Sequence, residues 1–418
     1  MADIKFSDFI SEAASGKNLH MEHIEDNILN GGVYGAREAI NFLRSLRDML
    51  AGNSESKVNV TVKWDGAPAI FAGQDPSDGQ FFVAKKGIFN KNPKLYKTTA
   101  EIDADTSGDL ADKLKACLKY LPEIGIKGVI QGDLMYTKSD LKNVTIDGEK
   151  YTTFHPNTLV YAVPYDSDMA RVIRNSQMGI IWHTRYDGDT LESMKAVFGT
   201  NILSGMKQSK NVWYDNADYK DVSGKASMTK EETAEITKVL SQAGKVFNAI
   251  NGRFLDSLSD YPGFGEELNT KIKAFNNSKV KKQEKISNVH SHVTEMLQTL
   301  HSFYEAEYNA KKKADAKQKA LNKANAIKEF MTPKNKIQFE HIFTLMNLIV
   351  DAKNMLSKKM DEVKSVNTFL LTKSGYQVTG VEGYVAIDKL SGGAVKIVDR
   401  LRFSYANFSP DIIKGWER

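Results

Sequence analysis

The four residues Lys63-Trp64-Asp65-Gly66 carry the clearest chemical potential in this 418-residue chain. They close a β-rich run, VNVTV, and precede Ala67-Pro68 and a second apolar stretch. A lysine amine is a usable nucleophile when its pKa falls from its ordinary ~10.4. At a strand end it can be desolvated and surrounded by phosphate-binding cations, and both effects act in that direction. Gly66 permits a tight turn through which a nucleotide can approach the backbone. The competing reading is a surface lysine in a turn, and four residues alone do not exclude it.

Other reactive side chains offer less. Cys117 is the only cysteine, which rules out an intrachain disulfide and a Cys-based metal site. Its surroundings, DLADKLKACLKYL, read as an amphipathic helix with Cys117 in the core. In HMEHIED, His20 and His23 could share a helix face with Glu22, Glu25 and Asp26, where packing or capping is expected ahead of ligation. The spacings of His155 and His183 enforce no metal geometry, and His290 and His292, two apart, do not share a helix face.

The elements that must position these groups fall into three blocks. Up to about Leu50, SDFISEAAS and GAREAINFLRSLRDMLAG repeat apolar residues at three- and four-residue spacing and read as helices. From Lys57, KVNVTVKWDGAPAIFAG, QFFVAKKGIF, GVIQGDLMYT, TLVYAVPY and MGIIWHTRY read as strands. From about Thr229 to Lys359 the pattern is helical, with a break at Pro333 and a lysine-rich stretch from Lys311 to Lys328. The tail, GYQVTGVEGYVAIDK and GGAVKIVDRLRFSYANF, returns to strand character around an LSGG turn. The fold class expected is α+β, antiparallel-rich, with a large all-α insertion. The boundaries are 1–220 for N-terminal helices and the first part of the core, 221–365 for the insertion, and 366–418 for strands completing the core. The lysine-rich stretch is read either as a solvated helix face or as a face contacting nucleic-acid phosphates.

No apolar run reaches the ~18 residues a membrane span needs, and MADIKFSDFISEAASGK lacks the features of a secretory leader. A cytoplasmic location is expected, and no membrane partner. A net charge of +5 permits a nucleic-acid partner without requiring one.

In family order, the chain resembles the covalent lysyl-nucleotidyltransferases, the superfamily of polynucleotide ligases and mRNA capping enzymes. Motif I is matched by Lys63-Trp64-Asp65-Gly66, motif III by Gly132-Asp133-Leu134, and motif IIIa by Val160-Tyr161-Ala162-Val163. Motif IV is matched by Glu382-Gly383-Tyr384-Val385 and motif V by Val395-Lys396-Ile397-Val398. The resemblance spans residues 57–165 and 377–400. It implies a nucleotidyltransferase (ligase adenylation) core using ATP and Mg²⁺. Lys63 would attack the α-phosphate and carry AMP. Asp65 would hold the ribose or orient the lysine, with Gly66 in the turn. Asp133 and Glu382 would hold ribose or Mg²⁺. Lys396 would neutralise the α-phosphate, Tyr161 would stack on adenine, and Lys86 would contact ribose or phosphate. The layout is also similar to ligase-like proteins of large tailed phages, in which a segment like MEHIEDNILNGG precedes the lysine, so the location would be a host cytoplasm.

The sequence departs from the family pattern at three places. Val398 stands where motif V has a second lysine, and Lys85, Lys86 or Arg400 could supply that charge. Asp133 replaces the commoner Glu, and Thr61 stands where DNA ligases often read adenine. The short tail after motif V leaves no room for an OB domain, which favours RNA over DNA as the nucleic-acid partner. The resemblance thus implies an ATP-dependent RNA ligase. The alternatives are a transferase moving AMP or GMP to an RNA cap, protein or metabolite, and a catalytically degenerate binding or virion protein.

Overall fold

The computed structural model describes residues 22–52, 58–90, 92–197, 201–219, 228–362, 366–388 and 394–417. The expected SDFISEAAS helix, His20 and the LSGG turn lie outside the described residues.

Among the described residues three sheets carry the β structure, and all but one of their strand pairs run antiparallel. The smallest has β1 (Val58–Lys63), β13 (Gly383–Asp388) and β14 (Ala394–Ile397) in the order β1-β13-β14. A six-stranded sheet has β10 (Val212–Asn216), β8 (Met178–Asp187), β4 (Val129–Thr137), β2 (Ala69–Gln74) and β3 (Phe81–Ala84) in that order, with β9 (Lys195–Val197) also on β8. The third runs β12 (Gly375–Thr379), β11 (Asn367–Thr372), β7 (Leu159–Pro164), β6 (Glu149–Phe154) and β5 (Lys142–Ile146). The fold is α+β with antiparallel sheets.

Among the described residues, helices make up the rest of the regular structure. Helix α1 (Gly32–Leu50) precedes β1, while α2 (Thr99–Asp105) and α3 (Gly108–Tyr120) follow β3. Helix α4 (Asp168–Asn175) joins β7 to β8. Between β10 and β11 come α5 (Lys230–Ala249), α6 (Gly252–Ser257), α7 (Glu267–Lys281), α8 (Val289–Ala310), α9 (Ala314–Phe330) and α10 (Pro333–Met360). Thr229 and Glu232 form a capping box that starts α5, and Pro333 sits in the first turn of α10, where its missing N–H costs nothing. No described helix is long and apolar enough to cross a membrane.

One apolar core joins the helices to the smallest sheet. Ile24, Ile28 and the inner face of α1 pack with α5 to α10, and Val60, Tyr384, Ala386, Val395 and Ile397 enter the same core. Side chains alternate across a strand, so their neighbours Thr61, Lys63, Val385 and Lys396 are turned to the opposite face. The helices therefore back the sheet whose other face carries the two lysines.

Two segments depart from the pattern read in the sequence. GYQVTGVEGYVAIDK is two strands in different sheets, β12 on β11 and β13 on β1. The stretch after β14 is helix α11 (Arg400–Phe408), not a strand. Asp399 caps it by accepting from the backbone N–H groups of Leu401 and Arg402, which outweighs the alternating apolar pattern.

Candidate functional site

Register assembles the site. Lys63 is the last residue of β1 and pairs with Gly383, so Glu382 lies beside it, while Val385 sits between Thr61 and Lys396 on neighbouring strands. The Lys63 Nζ lies 2.5 Å from Glu382 Oε2. The Glu382 side chain is only 8% exposed. Burial pushes its carboxyl up to about 7; the Lys63 ammonium opposes this, and the Asp65 and Asp133 carboxylates reinforce it. The Lys396 amine is lowered by burial first and by Lys63 next, with Lys86 adding to the effect, while Glu382 and Glu22 oppose it.

Asp133 joins this group from β4. The loop after Lys63 lies directly on that strand: Ala67 N–H donates to Leu134 O (3.0 Å) and Leu134 N–H donates to Pro68 O (3.1 Å). A Cβ built on Gly66 would fall 2.5 Å from Asp133 Cβ and 2.9 Å from Met135 Sδ. Close approach of β4 therefore demands glycine here. Opposite Asp133, the β4–β8 register slips: Gln131 faces Thr184, Gly132 faces Trp182, and His183 is the extra residue. The His183 Nε2 lies 3.7 Å from Asp133 Oδ2.

Asp65 and Tyr161 take structural positions. The Asp65 carboxylate accepts from Asn157 Nδ2 (2.6 Å) and from the backbone N–H groups of Thr158 (2.7 Å) and Leu159 (2.8 Å). It pins the entry to β7, and those three donors occupy both oxygens. The Tyr161 hydroxyl accepts from the Asp65 N–H at 2.6 Å. Its ring is stacked between Trp64 (centroids 5.1 Å apart) and Phe154 (5.4 Å) and is 1% exposed. Neither face of Tyr161 is open to a purine as expected, because the strand carrying it is covered on both sides. Trp64, only partly buried, is the outer ring of the stack.

The comparison with protein families matches residues 18–411 to a model described as a family of unknown function, DUF6267. The chain belongs to the DUF6267 family. Neither the comparison with curated proteins nor that with solved structures finds a match.

In this DUF6267 chain the three cations expected to stand in for a second lysine at the position of Val398 separate cleanly. Lys85 is held by Asp105 at 2.9 Å, and Arg400 by Asp26 at 3.0 Å. Lys86 is exposed, makes no ion pair among the described residues, and lies close enough to act on Lys396. Val398 itself is buried. Among the described residues no three His, Cys, Asp or Glu side chains group to hold a metal ion. Asp133 and Glu382 nevertheless suit Mg²⁺, which is commonly held by one or two carboxylates with phosphate oxygens and water. Burial is the main cause of the raised Glu382, and the repulsion from Asp65 and Asp133 that adds to it is the kind a divalent cation relieves.

Sequence reading missed a second cluster beneath the DUF6267 site. Lys353 of α10 is fully buried and grips both Glu25 oxygens, at 2.8 and 2.9 Å. Arg400 reaches Asp26 and, on α7's side, Asn277. The strap holding Glu25 is bonded to β14, since Lys396 N–H donates to Glu22 O at 3.1 Å. Burial works to raise Glu25, but Lys353, His23 and Arg400 outweigh it and hold the carboxylate down at about 2. In the described part of HMEHIED, Ile24, Glu25 and Asp26 form a buried 3-10 turn, and the half-buried His23 before it bridges to Lys396 of β14.

Proposed function

We propose that this protein is an ATP-dependent nucleotidyltransferase acting through a lysyl-AMP on Lys63, with the 5′-phosphate of a nucleic acid, preferably RNA, as the acceptor. The observation that carries the reading is the meeting of Lys63, Glu382 and Lys396 on one sheet face beside Asp133. The amine has a carboxylate to take its proton, and a second amine stands ready for phosphate charge.

In the first step the Lys63 Nζ attacks the α-phosphorus. A P–N bond forms, the bond to pyrophosphate breaks, and the amine proton passes to Glu382 Oε2. Lys396 and Lys86 offset the charge that builds on the α-phosphate oxygens. Mg²⁺ held by Asp133 and Glu382 would supply further charge neutralisation on the phosphates. The acceptor 5′-phosphate then displaces Lys63 from AMP. A 3′-hydroxyl attacks the activated phosphate, AMP leaves, and a phosphodiester remains. Positioning and electrostatics carry most of such a barrier. Exposed lysines on and before α9, Lys312, Lys313, Lys319 and Lys328, offer a phosphate-contacting face.

Incubation with α-labelled ATP and Mg²⁺ tests the first step. Wild type should retain acid-labile label that Lys63→Ala lacks. The buried Val398, where a second lysine would stand, favours a non-catalytic binding protein as the other reading. Absence of label with ATP, GTP and NAD would decide for it. Sealing of nicked or single-stranded RNA separates a ligase from a transferase with another acceptor.

A further inference from the structure

The β-bulge at His183 has no role in the chemistry above. Without it, Ile181 and Tyr186, five positions apart, would point to opposite faces of β8. With it, Ile181 packs beside Met135 while Tyr186 bonds Gln131 at 2.7 Å, so both lie on the face that carries Asp133. Trp182 is buried in the core on the other side. Bulges re-aim side chains, and this one sends an imidazole to the Asp133 carboxylate.

Two features make the pair a reader of hydroxyl groups. The His183 Nδ1 lies 2.8 Å from Thr184 Oγ1, and Thr184 is buried, which fixes the ring. With the threonine hydroxyl donating to Nδ1, the hydrogen sits on Nε2, facing Asp133. The Nε2 to Oδ2 distance of 3.7 Å is too long for a direct hydrogen bond. It is the separation at which one hydroxyl oxygen can sit about 2.8 Å from both atoms, donating to the carboxylate and accepting from the imidazole. Both side chains remain about a quarter exposed, so the gap is open to solvent rather than sealed in the core.

We infer that His183 and Asp133 together bind a sugar hydroxyl of the nucleotide and that His183 makes the site selective for ribose over deoxyribose. The inference rests on the nucleotide reading of the Lys63 site. It also accounts for the short Asp133: the imidazole closes the distance that a missing methylene would leave.

The test measures equilibrium binding of ATP, 2′-deoxy-ATP and 3′-deoxy-ATP to Lys63→Ala protein, where no covalent step interferes, with and without His183→Ala. One deoxy analogue should bind at least about tenfold more weakly than ATP, the value of a hydrogen bond to a charged group. His183→Ala should reduce that ratio to within about twofold, and His183→Gln, which keeps a donor at similar reach, should retain most of it. Thermal melts establish that each variant is folded. Equal binding of all three nucleotides, or a ratio unchanged by His183→Ala, overturns the inference while leaving the transferase reading to the labelling experiment. If ATP does not bind at all, both fall. If ATP binds selectively but wild type is never labelled, the transferase reading fails and the hydroxyl site stands.

Discussion

Lys63 and Glu382 are 319 positions apart in the chain and 2.5 Å apart in space. Their contact follows from a single strand pairing, β1 with β13, whose register ends with Lys63 opposite Gly383. The buried carboxyl, raised to about 7, ionises within the physiological range and can exchange a proton with its neighbour.

The rate of Lys63 labelling should therefore rise with pH as Glu382 ionises and becomes able to accept the amine proton, through about 7 for the metal-free carboxyl and lower where Mg²⁺ holds it. Glu382→Gln should slow the step about 10²-fold or more and remove that inflection. Rapid-quench labelling across pH 5.5–9 reads both effects. An inflection that survives the substitution would assign it to another group.

Lys396→Ala should slow labelling about 10²–10³-fold, as expected when a preorganised cation is withdrawn from a developing charge. Lys86→Ala, removing a more exposed amine, should cost about tenfold. Single-turnover rates at saturating ATP separate these losses from weaker binding. Equal effects would contradict the ranking by burial.

Gly66→Ala should destabilise the protein by about 1–3 kcal/mol, because the new methyl meets Asp133 Cβ, Met135 Sδ and a backbone oxygen. Gly79→Ser should cost less, since nothing lies within 4 Å there although its φ is positive. Urea unfolding compares the two, and a larger loss at Gly79 would be inconsistent with the packing described.

Lys353→Met leaves Glu25 charged, buried and deprived of its bidentate partner, and should cost about 3–5 kcal/mol. The double variant Lys353→Met/Glu25→Gln removes both charges and should recover a substantial part. A double-mutant cycle in urea gives the coupling, and additive losses would mean that the two groups do not depend on each other.

His23 predicts a specific acid sensitivity. Burial holds its folded pKa down at about 3, whereas the unfolded residue titrates near ~6.5. The unfolded chain then binds a proton that the folded one refuses. This group's contribution is complete above pH ~6.5 and is lost toward pH 3, at about 1.4 kcal/mol per unit. Asp26, raised to about 6 chiefly by burial, acts in the opposite sense: its contribution is present below pH ~4 and is lost as pH rises to 6. Comparing wild type with His23→Gln isolates the histidine, and the variant should lose less stability between pH 7 and 5. Parallel curves would exclude the assignment.

The strands bearing Lys63, Asp133 and Lys396, and the one that Glu382 immediately precedes, were legible because each lies in a short β-rich run that also carries part of the motif resemblance. Tyr161 was misplaced for a physical reason: alternation says which face a residue occupies, not what covers that face. Trp64 and Phe154 cover it from distant parts of the sequence. The place of His183 beside Asp133 was not legible because one inserted residue breaks the two-residue parity on which strand reading depends. Lys353 sits in DAKNMLSKKM among other lysines, and nothing local marks the one turned inward against Glu25. The helix after Asp399 shows a cap outweighing apolar alternation.

The order of the strands also sets a timetable. On a ribosome adding about 5–20 residues per second, β1 emerges on the order of tens of seconds before β13 exists to lie against it. Throughout that interval the nascent amine lacks the carboxylate that would accept its proton, and a chain interrupted anywhere before Glu382 would be released without the pair. The reactivity proposed for Lys63 would become available only after the helices have been made and the strand beyond them has docked.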